Sequence, residues 1–103
     1  MKVTNVNKEN FNHEVLESDI KVLADFNADW CGPCQMLKPT IEELAEEKEN
    51  IKVVSINIDD EDELSEKYNV LSIPCLIIFD KGKEVKRNVG FMSKDDIKTF
   101  IGE

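Results

Sequence analysis

The five residues Trp30-Cys31-Gly32-Pro33-Cys34 hold the side chains best suited to do chemistry. Two thiols stand three positions apart, separated by glycine and proline. The apolar run Val22-Leu23-Ala24-Asp25-Phe26 precedes them and a helical pattern follows. The pair therefore falls where a buried strand gives way to a helix. Once the second half of the motif is helical, positions i and i+3 share a face, and the sulfurs come within bonding reach. A helix start also presents unpaired N–H groups and the positive end of the dipole, which favour a thiolate. An acidic thiol, a nearby partner and an exposed turn are the conditions for reversible thiol–disulfide exchange.

In that chemistry Cys31 is the expected nucleophile, because it sits at the helix start and is expected to be the more exposed sulfur. Its thiolate attacks a substrate disulfide and forms a mixed disulfide. Cys34, one turn on, then attacks Cys31 intramolecularly and releases the reduced substrate. A bare C-x-x-C is equally half of a zinc site, but zinc wants four ligands. Only Cys75 and the single His13 remain as further candidates, so no metal is expected.

Asp25 is a carboxylate inside an apolar strand, where desolvation raises a carboxyl pKa. Its functional reading is a proton acceptor or donor for Cys34, working through water. The alternative is a strand-end aspartate bonded to backbone or facing solvent. Cys75 makes the cysteine count odd, which does not fit a purely structural disulfide set. It reads first as a small core filler, and otherwise as a regulatory or metal-recruiting thiol.

The chain has 103 residues and is expected to form one domain over 1–103. Its formal charge of −9 argues against nucleic acid or an anionic membrane as the main partner. Neither a signal peptide nor a run of membrane-spanning length is visible, so the expected compartment is the cytoplasm. There a close cysteine pair is more often redox-active or metal-binding than a structural staple. The chain carries no dinucleotide fingerprint and no P-loop. Electrons must then come from a partner, and no cofactor beyond the cysteines is expected.

The elements that must position these residues follow from periodicity. Strands are expected at Val3 to Val6, Ile20 to Ala28, Ile51 to Ile58, Leu76 to Phe79 and Glu84 to Val89. Asn10 can cap a short helix with Phe11 and Val15 inward. Leu37, Ile41, Leu44 and Ala45 mark a helix from Cys34 to about Lys48, which Pro39 should kink or split. Leu64 and Tyr68 mark the inner face of a helix that begins in the acidic run Asp59 to Glu63. Ser93 caps a last helix carrying Ile97, Phe100 and Ile101. Alternating strands and helices imply parallel βαβ units, and the turn at Gly82 adds an antiparallel pair. A central mixed five-stranded sheet flanked by four helices results.

These motifs together resemble the thioredoxin family over nearly the whole chain. Trp30 to Cys34 match its active-site motif at every position. Asp25 matches its buried acid and Pro39 its helix-kinking proline. Ile73-Pro74 matches its cis-proline loop, and Gly82 and Gly90 match its hairpin and groove glycines. The resemblance implies the α/β thioredoxin fold and a protein-disulfide reductase recycled by a thioredoxin reductase, NADPH- or ferredoxin-linked. It further implies a cis bond before Pro74 and a substrate groove lined by Trp30, Gly32, Ile73, Pro74 and Gly90. Gly32, Pro33 and Pro74 would tune the redox poise, and a monomer is the simple expectation. Asn27, Ser55 and Cys75 depart from the residues usual in the family at those places. A thioredoxin-fold interaction subunit with incidental redox chemistry is the alternative, and an oxidant or isomerase a third reading.

Overall fold

The computed structural model describes residues 1–102; Glu103, the last residue of the expected domain, lies outside the described residues. Its centre is β2 (Lys21–Asn27), in which Val22 through Phe26 are buried without interruption. Such a run is stable only where both faces of a strand are covered. Five strands form one sheet in the order β1-β3-β2-β4-β5. Strand β3 (Ile51–Asn57) lies parallel to β2 and to the two-residue β1 (Thr4–Asn5). Strand β4 (Cys75–Asp80) runs antiparallel on the other side of β2, and β5 (Lys83–Val89) closes that edge.

Alternation along the central strands divides the interior into two cores. Val22, Ala24 and Phe26 face a core that takes in Phe11, Val15 and Leu64. Leu23 faces the opposite core, together with Val53, Leu76 and Ile78. That second core is covered by α1 (Gly32–Glu47) through Leu37, Ile41, Leu44 and Ala45, and by α3 (Lys94–Phe100) through Ile97. The short α2 (Asp62–Lys67) covers the first core with Leu64. Asp62 and Glu63 in its first turn suit the positive end of its dipole.

The first of the four helices is a single π-helical turn, Asn12–Leu16, closed by Glu17 N–H donating to the Asn12 carbonyl at 2.9 Å. Phe11 and Val15 point inward as expected. The cap does not form at Asn10. Asn7 Oδ1 instead accepts from the backbone of Glu9 and Asn10, while Asn10 Oδ1 accepts from Asn7 N–H. Asparagine bonds its own nearby backbone as readily as it caps, and this reciprocal clasp occupies the Asn10 side chain, while the Asn10 carbonyl still accepts from Glu14 N–H at 2.8 Å.

The start of α1 and the effect of Pro39 also differ from expectation. α1 begins at Gly32, inside the motif, and runs unbroken through Pro39 to Glu47. Pro39 lies on the exposed side of the helix, as does Gln35, whose carbonyl loses its helical donor. Water can satisfy that carbonyl there, so the helix is not split. The hairpin between β4 and β5 turns at Lys81 (φ 53°) and Gly82 (φ 81°). Two successive positive φ angles are what a tight two-residue hairpin needs. At Ser93, Oγ accepts from Asp96 N–H at 3.1 Å, as the sequence suggests.

Candidate active site

The motif lies where β2 leaves the sheet and α1 starts. Cys31 is the N-cap of α1, with extended backbone, and its Sγ accepts from Cys34 N–H at 3.2 Å. Pro33 falls in the first helical turn, where a missing N–H costs no helical bond. Cys31 and Cys34 are joined by a disulfide, their Cα atoms 5.2 Å apart. A sulfur placed at a helix N-cap receives the N–H that would stabilise its thiolate once that bond opens.

The turn is less open than the sequence suggests. Trp30, Gly32 and Pro33 are exposed, but Cys31 is 5% exposed and Cys34 2%. The sulfurs turn inward against Ala28, with Ile58 and Ile73 packed beside them. Cys31 is the more accessible of the two by a small margin. A Cβ added at Gly32 would meet nothing within 4 Å, so a bare backbone there leaves the approach to the pair clear.

The Ile73–Pro74 bond is cis. Ile73 packs against the cysteine pair. The Pro74 carbonyl accepts from Gly90 N–H at 2.8 Å, and Gly90 holds φ 106°, a backbone region that side-chain-bearing residues rarely enter. Trp30 is 69% exposed, and its indole Nε1 donates to Asp59 Oδ2 at 2.8 Å. Asp59 is a partner that sequence reasoning missed: it is 29 residues from Trp30, and nothing in the acidic run distinguishes it from its neighbours. Trp30, the cysteines, Ile73, Pro74 and Gly90 thus gather around one turn.

Asp25 stands on the other side of Cys34. It faces the core under α1, is 4% exposed, and is the only buried charged residue among those described. Its Oδ1 has no hydrogen-bond partner among the described residues. Desolvation pushes its pKa up to about 7, opposed by a hydrogen bond from the Asn27 side chain. Parallel register sets Ser55 directly beside it on β3. The Asn27 amide Nδ2 donates to Ser55 Oγ at 2.8 Å and to the Asp25 carbonyl at 2.9 Å. Asp25 and Cys34 line the same cleft, of about 670 Å³.

Two residues stay apart from this constellation. Cys75 is a free, fully buried thiol whose side chain belongs to the core on the opposite face of the sheet from Asp25. Burial raises its pKa, which makes it an unreactive filler by environment. His13 is exposed, 3.7 Å from Glu17. Among the described residues no three His, Cys, Asp or Glu side chains cluster so as to hold a metal ion, and no helix is long and apolar enough to cross a membrane.

Comparison with known proteins agrees with this geometry. The family model described as Thioredoxin matches residues 2–103. The thioredoxin of Chlamydia trachomatis serovar D is 43% identical over 98 residues, covering 95% of this chain and 94% of that protein. That of Porphyra purpurea is 40% identical over 104 residues, covering 100% and 97%. That of Rickettsia felis is 40% identical over 100 residues, covering 96% and 95%. A match of this length, over a sheet that places two cysteines at the mouth of a helix, means that the chain belongs to the thioredoxin family of thiol–disulfide oxidoreductases.

Proposed function

We propose that this chain reduces protein disulfides in two steps, with Cys31 as nucleophile and Cys34 as resolving thiol. The Cys31 thiolate attacks one sulfur of the substrate disulfide, and the other substrate sulfur leaves as a thiolate. Cys34 gives up its proton to Asp25, by way of water, and attacks Cys31 Sγ. The Cys31–Cys34 disulfide forms, the substrate's second sulfur leaves, and two electrons have passed to the substrate. The observation that carries this reading is the disulfide across the first turn of α1, with Cys34 N–H on Cys31 Sγ.

The family's chemistry calls for disulfide-bearing proteins as substrates and for a thioredoxin reductase to restore the dithiol. We assign Trp30, Gly32, Ile73, Pro74 and Gly90 to the groove that receives the substrate segment, added as a short extended stretch. Gly32, Pro33 and Pro74 set the redox poise of the pair. The finer reading is a cytoplasmic monomer whose reductase draws on NADPH or ferredoxin. Its support is compositional: an acidic chain with a redox-active cysteine pair suits a reducing, soluble setting.

Insulin reduction by dithiothreitol, followed by turbidity, tests the assignment. Wild type accelerates it and Cys31→Ser does not. A partner-binding function independent of thiols would survive conversion of both cysteines to serine, and activity in that variant overturns the reading. The potential of the couple should lie well below the roughly −180 mV of an isomerase-type dithiol. Size-exclusion chromatography checks the monomer.

A further inference from the structure

The cleft beside Asp25 is walled by polar groups that the two-step reaction above does not use. Asn27, Gln35, Ser55 and Asn57 line it together with Asp25 and Cys34. Its volume of about 670 Å³ far exceeds the roughly 30 Å³ that one water occupies. The Asp25 carboxyl at its inner end is 4% exposed and keeps one oxygen without a partner among the described residues. The Asn27 amide is fixed from two sides, by Ser55 Oγ and by the Asp25 carbonyl.

We propose that Asn27 is a positioning residue that holds open a wet, polar route by which Asp25 exchanges its proton with bulk solvent. This rests on the reading of Asp25 as proton partner of Cys34 and adds how that proton leaves. An acid that takes a proton from Cys34 can return it when the pair is reduced again, and, buried beside a polar cleft, it can also trade it with solvent between turnovers. The groove side offers only an apolar exit, with Ala28, Ile58 and Ile73 packed against the sulfurs. The cleft offers a polar one. Its charged walls are Lys38 and Glu42 from α1, Asp29 after β2, and Asp60 and Glu61 after β3. Their balance is negative, which favours a proton or hydrated cation in the cleft over an anion.

Asn27→Leu removes the amide and puts an apolar side chain at the wall. The Asp25 carboxyl, followed by carbon NMR in the oxidised protein, should then titrate about one pH unit higher than in wild type. Resolution of a preformed mixed disulfide should slow about fivefold at pH 7 and recover at high pH, since the ionised fraction of Asp25 falls by that factor. Asn27→Ser, small and polar, should restore both. A purely structural role would lower the melting temperature without moving either profile. Should Asn27→Leu not fold, the equal-shaped pair Asn27→Val and Asn27→Thr makes the same comparison. An unmoved Asp25 midpoint in Asn27→Leu, or equal midpoints in the Val and Thr variants, overturns the proposal. Should Asp25→Asn leave the resolving step's pH profile untouched, it is the underlying role of Asp25 that fails, while the NMR midpoint still decides whether Asn27 keeps the cleft wet and polar around Asp25.

Discussion

Cys31 and Cys34 differ by position rather than by type. One sits at the N-cap and the other a turn inside, where it is slightly more buried. Replacing each should therefore give a different failure. Cys31→Ser should show no reductase activity, whereas Cys34→Ser should accumulate a stable mixed disulfide with substrate, visible on a non-reducing gel. Asp25 carries a second prediction. With its pKa near 7 it is about half ionised at neutral pH, so Asp25→Asn should slow resolution most around pH 7 to 8, where hydroxide cannot substitute for it. Stopped-flow rates across pH 6 to 9 check this. Asp25 was legible in the sequence because a charge inside an apolar strand has few explanations. The bond from Asn27 to Ser55 beside it was not, because strand register brings Ser55 next to Asp25.

The elements owe their limits to local chemistry that the sequence announces unevenly. Ser93 announces the start of α3, and Ser93→Ala should cost about 1 kcal/mol in a denaturant melt. Gly82 announces the hairpin. A Cβ there would meet the Leu16 carbonyl at 3.1 Å on a backbone with φ 81°, so Gly82→Ala should cost about 1–3 kcal/mol. The position of Asn10 misleads, because two asparagines three apart can satisfy each other's backbone as easily as a helix. Pro39 misleads in the opposite direction: its disruption depends on whether the orphaned carbonyl faces protein or water, and the helix puts it toward water. A proline's effect on a helix is thus decided by the face it occupies.

For the molecule as a whole, the buried acid opposes stability at the pH where it is used. Below about pH 4 Asp25 is protonated in both folded and unfolded chains and costs nothing. Between pH 4 and 7 the unfolded chain releases the proton and the folded chain keeps it. Stability is lost progressively as pH rises, and the cost is complete above pH 7. A displacement from 3.8 to about 7 corresponds to about 4 kcal/mol. Asp25→Asn should match wild type in stability below pH 4 and exceed it by up to that amount above pH 7. Urea melts of both proteins at pH 4, 6 and 8 check the trend. The exposed pairs Lys94 with Glu43 and Glu47, and Lys8 with Glu63, contribute little against it.

By itself the sequence determined which residues could exchange thiols, because spacing along a helix start is a local property. It determined the strands and the hairpin as well, since a run such as Val22 to Phe26 must be covered on both faces and the turn at Gly82 pairs its two flanking strands. Tertiary structure decided everything that depends on which strands are neighbours. It placed Ser55 beside Asp25, tied Trp30 to Asp59, and sent Cys75 into the core on the opposite face of the sheet. Side chains alternate across a strand, so a single residue of register separates the two cores, and no local pattern records which residue of a distant strand lies opposite.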